Sequence, residues 1–284
     1  MRVGFLGPEG TFSHQALLDA ATKGELEAVA LATLYGTVMA VHDGTVDLAL
    51  VPIENAIEGS VDVTLDTLAG DADEVTIVGE TVQRIRNCLI VGEALELDQI
   101  ETVYSHPQAN AQCANFLRSQ LPTATIVAAS STAEAVRAVA GAQGVGQAAL
   151  GNRLAAELYG ARILRADVDD VPDNATRFVW LARSERATEL RVLVERGDSA
   201  KTSIVFWGGG DEAPGWLVDC LAELSRRNIS LTRIESRPRR IGLGHYMFFA
   251  DLAGGTAQGP VDNAIAALRG RCQEVRLLGS YRGP

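Results

Sequence analysis

The chain has few of the residues on which metal centres and disulfide frameworks depend. Its 284 residues include four cysteines and four histidines, namely Cys88, Cys113, Cys220, Cys272, His14, His42, His106 and His245. No two cysteines form a CxxC pair, and no two histidines are close in the sequence. We therefore expect reduced, mostly buried cysteines in a cytoplasmic protein, and no metal site.

A basic surplus and long apolar runs are also missing. The formal net charge is -11, which disfavours nucleic acid as a partner because phosphate binding needs a basic surface. An anionic small substrate remains open, since a local field can oppose the global one. The N-terminal stretch MRVGFLGPEG is broken by glycines, and no later stretch reaches about 18 uninterrupted apolar residues. We expect neither a signal peptide nor a membrane span.

Strand-like and helix-like segments alternate over the first 170 residues. A content of 47% hydrophobic and 21% charged residues is typical of a globular protein, and the length suffices for two domains. The alternation predicts an α/β fold with a parallel sheet. The predicted strands are 2–6, 27–31, 46–53, 101–105 and 125–129, and the predicted helices are 11–22, 33–43, 107–118 and one from about 132. Two extended segments within 75–92 suit a crossing between two lobes.

The C-terminal part has a different order of elements. It follows a charged, weakly patterned stretch at 184–200, which we interpret as a linker. The order βαββαβ is the ferredoxin-like arrangement. Its predicted strands are 201–207, 230–238, 244–252 and 274–281, and its predicted helices are 214–228 and 261–272.

The stretch GPEGTFS at 7–13 is the first candidate for a binding site. Gly7 and Gly10 flank a turn between a strand and a helix, and Thr11 and Ser13 open the helix. Free N–H groups at a helix start can bind a carboxylate or a phosphate. The stretch is neither GxGxxG nor a P-loop, so we expect no dinucleotide cofactor. An ordinary glycine turn with Thr11 as the N-cap explains the same residues.

Two further polar clusters stand where a predicted strand ends. VPIENAIEGSV at 51–61 places Asn55 and Ser60 after a buried strand, and VYSHPQANAQC at 103–113 places polar residues before Pro107. Polar groups beyond strand ends line the crevice of an open α/β sheet, so the three clusters predict one cleft between two lobes. A polar loop with Ser60 as N-cap, and a capping His106, are the structural alternatives.

Five stretches together resemble the prephenate dehydratase family in order and spacing: GPEGTFSHQA, PIENAIEGSV, YSHPQANAQC, AALGNRLAAELYG and NATRF. The end of the chain, including IESRP at 234–238, is similar to the ACT regulatory domain that follows in that family. The resemblance implies a two-lobed catalytic domain like a periplasmic solute-binding protein at 1–183. Its lobes would be about 1–82 plus 170–183, and 83–169, followed by a linker at 184–199 and the ACT domain at 200–284.

The resemblance also implies an activity and its control. It implies conversion of prephenate to phenylpyruvate, water and carbon dioxide, without a cofactor. L-Phenylalanine would act as an allosteric effector, and the chain would assemble as a dimer or a tetramer. An arogenate dehydratase, whose substrate differs by an amino group, is an alternative enzyme. A non-catalytic amino-acid sensor is an alternative of another class.

Thr176 is the catalytic residue that the family resemblance implies. A threonine hydroxyl can donate a hydrogen bond that strengthens as a leaving oxygen gains charge. The implied substrate-binding residues are Thr11, Ser13, Asn55, Ser60, Ser105, His106, Gln108, Asn174, Arg177 and Phe178. In a regular strand Asn174 and Thr176 share one face, whereas Arg177 points away. We therefore expect Arg177 to hold a neighbouring carboxylate or backbone group.

The implied phenylalanine site carries one departure from the family pattern, and the cleft carries another. The effector site would comprise Pro214, Gly215, Trp216, Leu217, Val218, Glu235, Ser236, Arg237 and Pro238, at the start of a helix reached from the loop 208–215. Trp216 stands where the family has a small residue, and we expect it to point away and pack at a dimer interface. Asn87 stands where the family often has histidine, which leaves His106 as the histidine of the cleft.

Overall fold

The computed structural model describes residues 1–21, 26–142, 146–194, 197–210, 213–257 and 259–283. The strands are β1 (Arg2–Leu6), β2 (Glu27–Leu31), β3 (Leu48–Asn55), β4 (Gly59–Ser60), β5 (Val75–Arg84), β6 (Cys88–Val91), β7 (Thr102–Ser105), β8 (Thr125–Ala128), β9 (Gln147–Gly151), β10 (Arg162–Arg165), β11 (Ala175–Arg183), β12 (Ser199–Trp207), β13 (Leu231–Pro238), β14 (Tyr246–Ala253) and β15 (Glu274–Gly283). The helices are α1 (Phe12–Ala20), α2 (Leu34–His42), α3 (Asp62–Ala69), α4 (Pro107–Gln112), α5 (Ala114–Gln120), α6 (Thr132–Ala140), α7 (Arg153–Leu158), α8 (Ala187–Val194), α9 (Trp216–Ser225) and α10 (Pro260–Arg269). Within these ranges, no helix has the length and apolar character needed to cross a bilayer.

The first lobe is built on a six-stranded sheet with the order β2-β1-β3-β11-β5, and β4 pairs with β3. The pairs β1–β2 and β1–β3 are parallel, whereas β11 runs antiparallel to both β3 and β5. The last strand of the lobe in sequence therefore fills the middle of its sheet. Apolar side chains from both faces of β11 are buried, including Val179, Trp180 and Leu181. The run of apolar residues in this strand reflects burial on both sides of the sheet.

The second lobe has a five-stranded sheet with the order β10-β6-β9-β7-β8. The chain enters this lobe through residues 85–87 and leaves it through residues 166–174. This two-lobed arrangement with two crossings confirms the predicted architecture. The helix predicted at 107–118 is instead two helices, α4 and α5, which meet at Cys113, where the backbone φ and ψ are -115° and 17°. Those angles depart from helical values, so the two helices are separate elements, although Cys113 donates to the Ala109 carbonyl and accepts from the Leu117 N–H.

The C-terminal domain has the βαββαβ order that the sequence predicts. Its sheet has the order β13-β14-β12-β15, and every pair is antiparallel. One face of the sheet packs on α9 and α10 in a core that contains Phe206, Leu224 and Leu252. The predicted loop 208–215 includes residues 211 and 212, which lie outside the described residues.

The stretch interpreted as a linker is ordered helix over much of its length. Residues 187–194 form α8, and residues 195 and 196 are not among those described. Ala187, Leu190 and Val194 are buried in the core of the first lobe. Their spacing of three and four places them on one face of the helix, and this apolar stripe outweighs the surrounding charge.

The second face of the C-terminal sheet packs against the first lobe of the same chain. Phe249, Leu278 and Tyr281 join Ile77 and Val179 in a single hydrophobic core. A lone βαββαβ unit leaves one sheet face open, and a second copy of the domain could cover it. Here the first lobe of the same chain covers that face.

Candidate active site

A cleft of about 480 Å³ lies between the two lobes. The first lobe contributes strand ends and the start of α1, and the second contributes the starts of α4 and α6. Seven of the predicted site residues line it, namely Thr11, Ser13, Asn55, His106, Gln108, Thr176 and Phe178. Its size is in the range of small-molecule sites. The three polar clusters of the sequence therefore meet in one place, as predicted.

Thr176 lies near the start of β11, where this strand re-enters the first lobe. Its Oγ1 accepts a hydrogen bond of 2.9 Å from the Nδ2 of Asn55, which is its partner in the sheet register. The threonine is 8% exposed, so almost all of its surface is covered except toward the cleft that it lines. An oxygen that accepts from an amide keeps its own hydrogen for another partner. The Thr176 hydroxyl is thus available as a donor to a molecule in the cleft.

Two asparagines fix the orientation of this hydroxyl. Asn55 Nδ2 also donates to Asn174 Oδ1 at 3.0 Å, and Asn55 Oδ1 accepts the backbone N–H groups of Ile57 and Glu58. These contacts determine which end of the Asn55 amide carries the donor. Asn174 is buried behind the cleft wall and does not belong to its lining. Asn174 therefore supports Asn55 and is not placed to contact a bound molecule.

The glycine turn at 7–13 brings the start of α1 into the cleft. Thr11 is the N-cap: its Oγ1 accepts from the His14 N–H and donates to the Leu6 carbonyl. Gly10 has a φ of +84°, and a Cβ there would lie 3.3 Å from Ala155 of the second lobe. Glycine is therefore required both by the turn and by the close approach of the other lobe. Thr11, Phe12 and Ser13 at the start of the helix line the cleft, and N–H groups in the first turn of a helix have no partner within the helix.

His14 supports this turn from behind. Its Nδ1 accepts the Gly10 N–H at 3.1 Å, and its ring stacks on Phe5. Burial lowers the pKa of His14, and the nearby charge of Glu9 only partly offsets this effect. The imidazole is therefore neutral at neutral pH, which is the form that can accept at Nδ1.

The second lobe brings another helix start to the opposite wall. Ser130, Ser131 and Thr132 line the cleft at the N-terminus of α6, where Ser131 caps the helix by accepting from the Glu134 N–H. These residues and Gln112 are not among the site residues predicted from the sequence. The sequence does carry the pattern that predicts them, since Ser131 and Thr132 follow a predicted strand just as the other polar clusters do.

His106 caps a helix and also lines the cleft. Its Nδ1 accepts the Gln108 N–H at 3.3 Å, so a neutral ring carries its proton on Nε2. Ser105 is buried and donates to the His106 carbonyl, and it lies outside the cleft lining. Of this cluster, His106 and Gln108 are placed to contact a bound molecule.

Ser60 and Arg177 are directed away from the cleft, toward the C-terminal domain. Ser60 donates to Glu235 at 2.7 Å and accepts from Arg233 at 2.5 Å, so the structure does not place it for substrate binding. The Arg177 guanidinium lies 3.1 Å from Glu54, 3.0 Å from Glu80 and 2.6 Å from Asp251. Burial acts to lower the pKa of Arg177, but the charges of Asp251 and Glu80 outweigh it and raise the pKa. Strand alternation accounts for the opposite directions of Thr176 and Arg177.

The predicted effector residues divide into two groups in the structure. A smaller cavity of about 220 Å³ is lined by Ala213, Gly215, Trp216, Leu217, Val218, Gly244, Tyr246 and Phe248. Glu235 and Arg237 are turned to the first lobe, where Arg237 pairs with Asp62 and Asp66. Ser236 and Pro238 alternate with them and are exposed.

Trp216 packs against residues of its own domain, and its packing at a dimer interface stays a prediction. Its Nε1 donates to the Arg271 carbonyl at 3.1 Å, and its ring lies against Phe206 and Phe248. The ring nevertheless borders the 220 Å³ cavity. A nearby carbonyl and two phenylalanine rings satisfy both the polar and the apolar part of the indole without a partner chain.

The chain is similar to known proteins over most of its length. A family model described as prephenate dehydratase matches residues 3–186. A prephenate dehydratase of Mycolicibacterium vanbaalenii is 38% identical over 98% of this chain and 90% of the relative. The solved structure of prephenate dehydratase from Arthrobacter aurescens in complex with L-Phe is 33% identical, covers 99% of this chain and 90% of that one, and has a TM-score of 0.88. A structure described as a novel type of quorum quenching acylase is 27% identical, covers 100% and 98%, and has a TM-score of 0.83.

Proposed function

The chain belongs to the prephenate dehydratase family, and from this we infer that it is a hydro-lyase that converts prephenate to phenylpyruvate. Water and carbon dioxide leave as the ring becomes aromatic. The observation that carries this assignment is the Thr176 hydroxyl, which lines the cleft and is held by Asn55.

The charge of the substrate suits the two walls of the cleft. Prephenate carries two carboxylates, and two helices begin at the cleft from opposite lobes, α1 at Phe12 and α6 at Thr132. Helix N-termini stabilise anions through free N–H groups and the helix dipole. We assign the side-chain carboxylate to the start of α1 and the ring carboxylate to the start of α6. This pairing explains how a protein of net charge -11 binds a dianion without a basic surface.

The reaction needs a group that helps the ring hydroxyl depart. Aromatisation supplies the driving force, so no nucleophile is required. Thr176 donates a hydrogen bond to the leaving oxygen, and this bond strengthens as the carbon–oxygen bond breaks. Because Asn55 occupies an acceptor position of Thr176, the donor direction is set before the substrate binds. In this assignment His106 and Gln108 orient the substrate.

Replacement of Thr176 tests this function. We expect Thr176→Ala to lower kcat by about 10²–10³, with little change in folding, because one donor specific to the transition state is lost. Thr176→Ser should retain most of the activity, since it keeps the hydroxyl. Thr202→Ala is a matched control, because Thr202 is a buried strand threonine of the C-terminal domain. Wild-type turnover by Thr176→Ala would contradict the assignment.

The structure favours a dehydratase over an acylase. Hydrolysis of an amide needs a nucleophile beside a general base. Thr176 Oγ1 contacts the amide of Asn55, which is not a base, and this geometry suits a fixed hydrogen-bond donor. Assays of the purified protein with prephenate, arogenate and an N-acyl amide separate the three activities. We expect the highest kcat/KM with prephenate.

Regulation by phenylalanine is the second part of the proposal. The 220 Å³ cavity at the start of α9 is smaller than the roughly 300–1,000 Å³ of most ligand sites. Two exposed apolar side chains, Val218 and Tyr246, line it, and the exposed Leu243 precedes the lining residue Gly244. We assign this surface to contact between two ACT domains at 200–284, following the catalytic domain at 1–183, so that a second chain completes the site in a dimer or tetramer.

We place this enzyme in the cytoplasm, where its four free cysteines stay reduced.

Titration of L-phenylalanine by calorimetry, together with sedimentation, tests this assignment. We expect one effector per chain at saturation and a dimer or larger assembly at micromolar concentration. Trp216→Ala enlarges the cavity and removes a ring that its own domain holds. Weaker binding to this variant is the expected result, since the ring forms part of the wall. Binding seen only with the variant would show that Trp216 blocks the site.

A further inference from the structure

A buried amide at the floor of the cleft has one polar atom without a partner. Asn87 lies in the crossing from the first lobe to the second and lines the cleft. Its side chain is 0% exposed, and no donor contacts its Oδ1 within the described residues. A buried carbonyl oxygen left without a hydrogen bond costs free energy, so native proteins rarely keep one without a reason.

The other end of the same amide is held firmly. Asn87 Nδ2 donates to Asp169 Oδ1 at 2.6 Å, and the Asn87 backbone N–H donates to Asp169 Oδ2 at 2.6 Å. Only the NH₂ end of an amide can donate to a carboxylate, so this clamp excludes the flipped rotamer. Asp169 thereby keeps the side-chain oxygen of Asn87, Oδ1, on the side away from the carboxylate.

The position of Asn87 brings it toward the catalytic strand. Two residues earlier, the Ile85 N–H donates to the carbonyl of Asn174, and β11 begins at the next residue. The Val168 N–H donates to the backbone carbonyl of Asn87, and this hydrogen bond joins the two crossings. Asn87 therefore stands where the two crossings meet, and it lines the same cleft as Thr176.

We propose that Asn87 Oδ1 accepts a hydrogen bond from the ring hydroxyl of prephenate, and that Asp169 positions it to do so. This inference rests on the proposed function. With both carboxylates ionised and a keto side chain, the ring hydroxyl is the hydrogen-bond donor of this substrate. Thr176 donates to the same oxygen, so the hydroxyl is held from two sides. Asn87 is a substrate-binding residue in this scheme, and Asp169 is a positioning residue.

Two unreactive ligands test the contact independently of turnover. The ring-saturated analogue of prephenate keeps the hydroxyl and both carboxylates but cannot aromatise, and its deoxy counterpart lacks only the hydroxyl. Calorimetric Kd values are measured for both ligands with the wild type, Asn87→Ala, Asn87→His and the control Asn152→Ala. Asn152 is equally buried in the second lobe but caps α7 and is not in the cleft lining.

We expect the wild type to bind the hydroxyl ligand more tightly than the deoxy ligand, and the hydrogen bond to the otherwise unpaired Asn87 Oδ1 to supply about tenfold of this preference. Asn87→Ala should remove this tenfold contribution, so that only the part supplied by Thr176 is left, and the Kd of the deoxy ligand should stay nearly unchanged. Asn87→His should keep part of it, because one ring nitrogen can donate to Asp169 while the other accepts. Asn152→Ala should keep all of it.

Other outcomes overturn the contact. Equal wild-type affinities for the two ligands would exclude it whether or not any variant folds. An equal loss for both ligands in Asn87→Ala would show a structural role only. Wild-type turnover of prephenate is measured separately, so a failure of the proposed function is distinguished from a failure of this contact.

Discussion

The first lobe has two neighbours, and it contacts them in different ways. Toward the second lobe it presents a cleft of about 480 Å³, two crossings and the hydrogen bond from Tyr159 to the Glu9 carbonyl. Toward the C-terminal domain it shares a continuous hydrophobic core. Buried ion pairs add to that core, with Arg177 at their centre.

This difference indicates which parts move together. A shared core and desolvated ion pairs resist relative motion, whereas a cleft bridged by two crossings allows it. We infer that the first lobe and the C-terminal domain behave as one body, against which the second lobe opens and closes. Arg177 is adjacent to Thr176 in β11, so its ion pair with Asp251 joins the C-terminal domain to that strand beside Thr176.

The largest expected effect comes from removing the centre of the ion-pair cluster. Arg177→Met leaves the carboxylates of Glu80 and Asp251 buried with less compensation, which typically costs about 3–5 kcal/mol of stability. Denaturant unfolding measures this loss. The matched control is Arg183→Met on the same strand, where the ion pairs with Glu74 and Glu185 are more exposed and worth about 0–1 kcal/mol. Equal losses in both variants would contradict the role of the buried ion pairs in holding the C-terminal domain on the first lobe.

A smaller effect should follow from a single added methyl group between the two domains. A Cβ on Gly279 would lie 2.8 Å from the Cβ of Ile77 and would overlap the Ile77 carbonyl. Gly279→Ala therefore forces the packed surfaces apart, at a cost of about 1–3 kcal/mol. Gly255→Ala in the same domain is the control, because its nearest neighbour would be 3.5 Å away. Thermal unfolding of the two variants measures the difference.

The smallest expected effect is a pH dependence of the unfolding free energy that comes from His14, which supports the glycine turn of the cleft. Burial depresses the pKa of His14 in the folded protein below its ordinary value of 6.5. Stability from the neutral ring is present above that value and is lost as pH falls through the folded pKa. Protonation also removes the acceptor for the Gly10 N–H, which shapes the start of α1. The unfolding free energy should therefore fall more in the wild type than in His14→Gln between about pH 7.5 and about pH 5.5.

The sequence predicts the cleft well because strand ends in an open α/β sheet meet at one edge. Thr11, Asn55 and His106 were placed in it by that rule alone, and strand alternation turned Arg177 away from Thr176. The same rule would have found Ser131 and Thr132. The βαββαβ order of the C-terminal domain was equally accessible from its pattern.

Contacts between distant parts of the chain were not accessible in this way. Nothing local shows that Ser60 meets Glu235, or that the C-terminal sheet packs on its own first lobe. Residues 184–200 are predicted as a linker because charged residues dominate them. The apolar stripe of α8 is weak in the sequence, since it has only about one buried residue per turn. The clamp of Asp169 on Asn87 joins the two crossings and depends on how both are folded.

The placement of β11 in the middle of the first sheet has a consequence for protein synthesis. This strand lies between β3 and β5 in space, yet it follows the whole second lobe in the chain. On the ribosome, the first lobe cannot complete its sheet until residue 183 has emerged, whereas all strands of the second lobe are available earlier. The lobe that starts later in the sequence is therefore the first that can finish folding. Thr176 reaches its partner Asn55 only in that final insertion, so a nascent chain lacks the proposed catalytic pair until the strand is in place.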